Sequence, residues 1–224
     1  MGTLNHTVKI LEKEQLTHNV LRFVMERPDG FEFAAGQAIE LTLDPPASGI
    51  DPAPFTLTGL NTADSLEIMF KVYPTHHGMT LGMSKLNKGN SVQISDAWDS
   101  FQYQSEGVFI AGGTGITPFI ALIRQLNAKR QLNGNQLIFA NKKEEDIFLK
   151  TELSSLLGNH FVNILSEEKN VQYYKGRINA DFLKDHITNF DQSFYLCGPG
   201  NFSIDIKAHL LKLGAKENSI ITEY

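Results

Sequence analysis

The sequence predicts two domains of different class: a six-stranded antiparallel β-barrel over residues 1–104 and a parallel α/β domain over residues 105–224. Three observations carry this. Strand-like segments follow one another through the first hundred residues, and strand and helix patterns alternate after that. The change of rhythm falls at "SEGV" around Ser105, just before the glycine-rich stretch "GVFIAGGTGITPFIALIRQL" (107–126). With 224 residues the chain has room for two modest domains of about 100 residues each.

Barrel strands are expected at 7–15, 20–27, 38–44, 54–59, 65–73 and 91–97. Each is rich in Val, Ile, Leu, Phe and Thr, and the turn signals "RPDG", "AAGQ", "DPPASG", "NTAD" and "NKGN" separate them. Six such strands suggest a closed antiparallel barrel. Beyond residue 105 the pattern predicts strand 107–112, helix 118–130, strand 136–140, helix 145–157, strand 161–165, helix 179–188, strand 193–197, helix 201–213 and a last strand 219–224. This alternation specifies a parallel sheet covered by helices on both faces.

Composition excludes several function classes. A hydrophobic share of 42% and a charged share of 20% suit a soluble globular protein in which both domains own a core. The net charge of −5, without a run of Lys and Arg, argues against nucleic acid or an anionic membrane as the main partner. The uncharged run 107–123 is broken by glycines and Pro118, and a membrane span needs about 20 apolar residues. The start "MGTLNHTVKI" lacks a secretory pattern, and His6 stands where a myristoylation motif wants Ser or Thr, so the expected location is cytoplasmic. The single cysteine, Cys197, leaves no intrachain disulfide, thiolate zinc site or iron–sulfur cluster. Any electron acceptor must lie outside the chain, and no metal site is expected.

The glycines point to a phosphate. Gly112, Gly113 and Gly115, with Thr114 among them, lie at the carboxyl end of the first parallel strand, where such sheets open a ligand crevice. Glycine lets the backbone approach a pyrophosphate, and the free amides at the next helix start complement its charge. Thr117 precedes Pro118, which is expected at the first helical position, where its missing N–H costs nothing. The third place of G-x-G-x-x-G is Pro118 rather than glycine. Taken alone, the stretch also fits a tight strand-to-helix turn with no ligand.

Several motifs together resemble one family. "AGGTGITP" (111–118) resembles the nicotinamide-dinucleotide pyrophosphate motif of the ferredoxin-NADP reductase superfamily, and "YLCGPG" (195–200) resembles its second signature. "LIFANKKEEDIFLKTEL" (137–153) is similar to the cytochrome b5 reductase branch, while "FAAGQAIEL" (33–41) and "GRI" (176–178) resemble further marks of the family. The resemblance implies FAD on the barrel and NAD(P)H on the parallel domain. Hydride would pass to the flavin and electrons onward to a small carrier protein, ferredoxin or flavodoxin. The alternatives are reduction of free flavin, ferric chelates or a cytochrome, or a non-catalytic nucleotide-sensing or electron-transfer subunit.

The same resemblance assigns residues. In "APFT" (53–56), Phe55 stands for the aromatic lying against the isoalloxazine, Thr56 for the hydroxyl on its reactive nitrogen, and Pro54 joins the contact. Ala53 stands where an arginine is expected, and alanine offers a phosphate nothing. "FKVYPTHHGMT" (70–80) resembles the second flavin segment. There Gly78, Met79 and Thr80 form the phosphate turn, Thr80 opens a helix running to Leu86, and Val72 and Tyr73 line the approach. Lys71, His76 and His77 are the groups available to replace the arginine, and the adjacent histidines suit a solvated loop better than a metal.

Cys197, followed by Gly198 and Pro199, is implied to sit near the nicotinamide as a small polarizable neighbour. With Thr56, Glu223 and Tyr224 it makes up the expected catalytic set, Tyr224 covering the flavin where the nicotinamide must stack. Asn141, Lys142 and Lys143 after the second parallel strand favour NADPH. The similarity to cytochrome b5 reductase favours NADH, Glu144, Glu145 and Asp146 also fit the acidic first turn of a solvated helix, and the pyridine nucleotide stays open.

Overall fold

The computed structural model describes residues 3–75, 78–168 and 172–223. The amino-terminal half consists of β1 (Leu4–Gln15), β2 (Val20–Glu26), β3 (Gln37–Leu43), β4 (Ala53–Thr56), β5 (Ser65–Lys71), a short helix α1 (Met79–Ser84), β6 (Ser91–Ser95) and β7 (Trp98–Asp99). Its antiparallel sheet runs β4-β3-β6-β1-β2-β5, with β7 pairing beside β3. The two ends meet where Leu57 bridges Ile68 and the Thr58 amide donates to the Glu67 carbonyl at 2.8 Å. The barrel is therefore nearly closed.

Alternation along the strands fills it. Leu66, Ile68 and Phe70 of β5 face inward and pack with Phe23, Met25, Ile39, Leu41 and Phe55. Met69, of opposite parity, belongs instead to the core of the second half, with Val20 and Phe101. Both faces of β5 are thus buried, and the barrel's outer wall there is an inner surface of the molecule.

The second half comprises β8 (Gly107–Gly112), α2 (Thr117–Ala128), β9 (Gln136–Asn141), α3 (Lys150–Leu157), β10 (Phe161–Leu165), β11 (Tyr174–Lys175), α4 (Ala180–His186), β12 (Ser193–Cys197), α5 (Phe202–Lys212) and β13 (Ile220–Thr222). The sheet is parallel in the order β11-β10-β9-β8-β12-β13. Phe109 and Ala111 of β8 pack with Phe119, Ile120 and Leu153 on one face. Val108 and Ile110 pack with Leu183, Ile206 and Leu210 on the other. A strand covered on both faces must be apolar throughout, which explains the uncharged run. The chain leaves β8 toward β9 and returns on the opposite side at β12, so the topological switch point lies between β8 and β12.

Four local expectations change. A 3₁₀ turn, Gly113–Ile116, separates β8 from α2, which makes Pro118 the second residue of α2. Its missing N–H is still among those without an intrahelical partner. The helix expected from residue 145 starts at Lys150, because Glu144–Asp146 is a 3₁₀ turn closed by the Lys143 amide on Asp146 Oδ2 (3.1 Å) and Leu149 adopts φ 55°. Gly78, not Thr80, is the N-cap residue of α1, which ends at Ser84 before the expected Leu86. The short β7 and β11 carry no pattern long enough to announce them. Among the described residues no helix is long and apolar enough to cross a membrane.

Candidate functional site

The two glycine motifs of the parallel half form one surface at the switch point. Gly113 adopts φ +53°, and nothing lies within 4 Å of where a Cβ would stand, so its turn is left-handed and open on that side. Gly115 is confined instead: a Cβ there would lie 2.4 Å from the Cys197 carbonyl oxygen and 2.7 Å from the Gly198 nitrogen. Gly112 and Gly198 both press on the ring of Phe202, at the start of α5, while Pro199 accepts the Phe202 amide at 3.2 Å. The Thr117 hydroxyl donates to the Thr114 carbonyl at 3.0 Å and braces the turn. The turn thus offers amides at the start of α2, beside the open face of Gly113.

Cys197 ends β12 at 8% exposure. Its Sγ donates to Glu223 Oε2 over 3.9 Å, and Glu223 Oε1 accepts from the Ser100 hydroxyl at 3.0 Å. Burial, reinforced by the neighbouring Glu223 carboxylate, pushes the thiol up to about 12. It is a protonated, polarizable neighbour and not a thiolate nucleophile. Ser100 follows β7 directly, and Trp98 of β7 faces Ala38 of β3, which faces Thr56 of β4 across the next ladder. Adjacent strands lie about 4.8 Å apart, so two ladder steps separate Thr56 from Trp98, two residues before the Ser100 that binds Glu223 beside Cys197. Ser100 was absent from the sequence-derived set, since no motif marks it.

Thr56 is 9% exposed, and its hydroxyl has no side-chain hydrogen bond among the described residues. Phe55 is 8% exposed and stands edge-on to Phe70, with centroids 5.9 Å apart, so most of its ring belongs to the barrel core. Pro54 is exposed, opposite Glu40, and Ala53 packs partly against the barrel core. Lys71 Nζ sits 3.6 Å from Asp146 Oδ1, so its charge is directed at the parallel half. Val72 donates its amide to Asn19, and Tyr73 stays 42% exposed. Met79 is buried in the barrel core, and no side chain caps the first amides of α1 beside Gly78 and Thr80. His76, His77 and Tyr224 lie outside the described residues.

At the end of β9, the Nδ2 of Asn141 is buried without a partner. Lys142 pairs with Glu167 at 3.0 Å and Lys143 with Glu145 at 3.5 Å. Lys143, Glu144, Glu145, Glu167 and Glu168 line one recess. Glu168 accepts the Glu144 amide at 2.6 Å, and Glu144 accepts from the Tyr173 hydroxyl at 2.9 Å. The recess is acidic on balance. Among the described residues no group of three or more His, Cys, Asp or Glu is placed to hold a metal.

A nearly closed barrel, joined through β5 to a parallel sheet whose switch point carries two glycine loops, is the ferredoxin-NADP reductase-like two-domain fold. Residues 109–207 match the family described as the oxidoreductase NAD-binding domain. NADH-cytochrome b5 reductase 2 of Danio rerio is 26% identical over 97% of this chain and 84% of that protein. The flavohaem-like FAD/NAD-binding domain of nitric oxide dioxygenase from Vibrio cholerae O1 biovar El Tor superposes with a TM-score of 0.84 at 22% identity, covering 97% of each chain. A ferredoxin NADP+ reductase from Neisseria gonorrhoeae, solved with FAD and NADP, superposes with a TM-score of 0.85 at 21% identity, again over 97% of each chain. At these identities the two structures are likenesses of fold. Residues 109–207 thus match an NAD-binding domain, the whole chain is similar in sequence to NADH-cytochrome b5 reductases, and its fold is that of ferredoxin-NADP reductase-like structures.

Proposed function

We propose that this protein is an NADH-dependent flavoprotein reductase, with FAD on the barrel (residues 1–104), the nucleotide on the parallel half (residues 105–224) and an external one-electron carrier as acceptor. The observation that supports the reading is that Ser100, which directly follows the β7 strand paired through β3 with the Thr56 strand, binds Glu223 beside Cys197 of the parallel half. The residues suit the two cofactors. Gly113 leaves room for a pyrophosphate beside the α2 amides, and Thr56 holds a hydroxyl with no side-chain partner among the described residues.

When bound, FAD accepts a hydride and returns its two electrons singly. The chain's own groups orient that exchange. Thr56 would donate its hydroxyl to the reactive flavin nitrogen, and Phe55 would support the ring. Cys197, kept protonated and uncharged by burial and Glu223, would lie beside the nicotinamide. Ser100 holds the Glu223 carboxylate against the thiol, and the family resemblance alone would assign Tyr224 to the flavin's nicotinamide-facing side. The acidic recess after β9 supports NADH: each lysine there has a carboxylate partner, and four glutamates line the space that a 2′-phosphate would enter. NADH should outperform NADPH in kcat/KM, and equal values would remove that part of the reading. The compartment proposed is the cytoplasm, where a free thiol such as Cys197 stays reduced.

Among acceptors, the similarity to NADH-cytochrome b5 reductase puts a cytochrome beside ferredoxin and flavodoxin. NADH-driven reduction of cytochrome b5, ferredoxin, flavodoxin, free flavin and ferric chelates, compared at equal concentration, tests this. One protein carrier reduced far faster than the small molecules supports the reading; free flavin reduced fastest would replace it with a flavin reductase. Ala53 and the engaged Lys71 favour one rival, a nucleotide sensor, because neither supplies a free cation for the flavin phosphates. A colourless purified protein that does not take up FAD would select that rival.

A further inference from the structure

Strand β5 carries a clamp between the halves that no motif predicts. Its outward residues each reach across: Glu67 to Arg124 of α2, Met69 into the parallel-half core, and Lys71 to Asp146 after β9. Arg124 is the centre. Its Nε and Nη2 form a fork on Glu152 of α3, at 2.5 and 2.8 Å. Its Nη1 donates to Glu67 Oε1 (2.5 Å) and to the Thr58 carbonyl (3.0 Å) on the barrel. Glu67 is held in turn by the Thr58 hydroxyl at 2.7 Å and by Arg22 Nε at 2.6 Å. Burial would raise Glu67, but the Arg124 charge, the Thr58 hydroxyl and Arg22 outweigh it and hold the carboxyl below the usual glutamate range.

The positions of the two ends give the clamp a role. Thr58 lies two residues beyond Thr56, and Arg124 lies about two turns inside the helix that continues the glycine turn. We propose that Arg124 is a positioning residue for hydride transfer: by fixing α2 to Thr58 and Glu67, it sets the separation between Thr56 on the barrel and the nucleotide turn at the head of α2. The assignment rests on the reductase reading. It needs the guanidinium, whose Nη1 reaches the Glu67 carboxylate and the Thr58 carbonyl together from a fixed plane, a geometry that an ammonium on a shorter stem does not reproduce.

Three variants test it: Arg124→Lys, Glu67→Gln and Glu152→Gln. Glu152 braces Arg124 from within the parallel half, so its loss leaves the barrel contact in place. Stopped-flow bleaching at saturating NADH gives the limiting rate, fluorescence gives FAD affinity, and hydrogen exchange on the cofactor-free protein reads the clamp directly. Arg124→Lys and Glu67→Gln are expected to lower the limiting rate about tenfold or more, with FAD affinity kept within about twofold, and to raise exchange in 65–71 and 117–128 together. Glu152→Gln should leave the rate within about twofold of wild type. Wild-type limiting rates in Glu67→Gln and Arg124→Lys, or an equal loss in Glu152→Gln, would overturn the proposal. If Arg124→Lys fails to fold, Glu67→Gln decides alone. A wild-type protein that NADH does not bleach overturns the reductase reading instead, and the exchange pattern still reports on the clamp.

Discussion

Replacing Gly115 by alanine perturbs the site with one carbon atom. The new Cβ would stand 2.4 Å from the Cys197 carbonyl oxygen, 2.6 Å from its carbon and 2.7 Å from the Gly198 nitrogen, whereas ordinary contacts of this kind begin at 3.4 Å. All three atoms are backbone, so no rotamer change relieves the clash. The α2 turn and the loop after β12 must part by about 1 Å, the scale at which misplacement near a reacting centre costs about 100-fold in rate. Overpacking of this kind costs about 1–3 kcal/mol, or a melting temperature lower by about 2–12 °C for a chain of this size. Thermal melting and anaerobic stopped-flow reduction by NADH measure the two effects. A Gly115→Ala protein with wild-type melting and wild-type bleaching would refute the close approach of the two loops and their joint role.

Other outcomes follow from the same geometry. Thr56→Ala should slow flavin reduction by the worth of one hydrogen bond, about 0.5–1.5 kcal/mol, with the melting temperature little changed; reduction at the wild-type rate removes Thr56 from the site. Ala53→Arg should tighten FAD binding by about one to two powers of ten without altering the rate of the bound flavin, because a charge-assisted phosphate bond contributes about 1.5–3 kcal/mol. Equal dissociation constants, read from flavin fluorescence, would withdraw the placement of the flavin motif on residues 53–56. Iodoacetamide at pH 8 should leave Cys197 unmodified in the folded protein and label it in urea. The folded thiol is pushed up to about 12, above its unfolded value of about 8.5, so its contribution to stability is whole below pH 8.5 and is lost as pH rises toward 12. Rapid labelling of the native protein contradicts this.

Local pattern made much of the architecture legible. The apolar run of β8, the glycines after it and the "CGPG" that ends β12 are contiguous features, and the strand–helix alternation placed both motifs at the switch point. Where two neighbours compete for one segment, the pattern misleads. The acids of 144–146 look like a helix's first turn, yet Asp146 caps a 3₁₀ turn on Lys143, and Leu149 breaks the path to α3. Roles that depend on distant partners left no trace. Ser100 meets Glu223 across 123 positions and Arg124 meets Glu67 across 57, so Arg124 reads as one more polar residue in an apolar repeat. Lys71 stands beside the flavin motif in sequence, but its charge is directed at Asp146.

The most direct test of the central claim is the absorption spectrum of the FAD-loaded protein mixed anaerobically with NADH, alongside NADH carrying deuterium at its transferable position. If the nicotinamide reaches the flavin at the junction of Thr56, Cys197 and Glu223, the yellow absorbance bleaches within the mixing experiment and the deuterated nucleotide bleaches it more slowly. A flavin that dithionite bleaches while NADH leaves it oxidised would contradict the account.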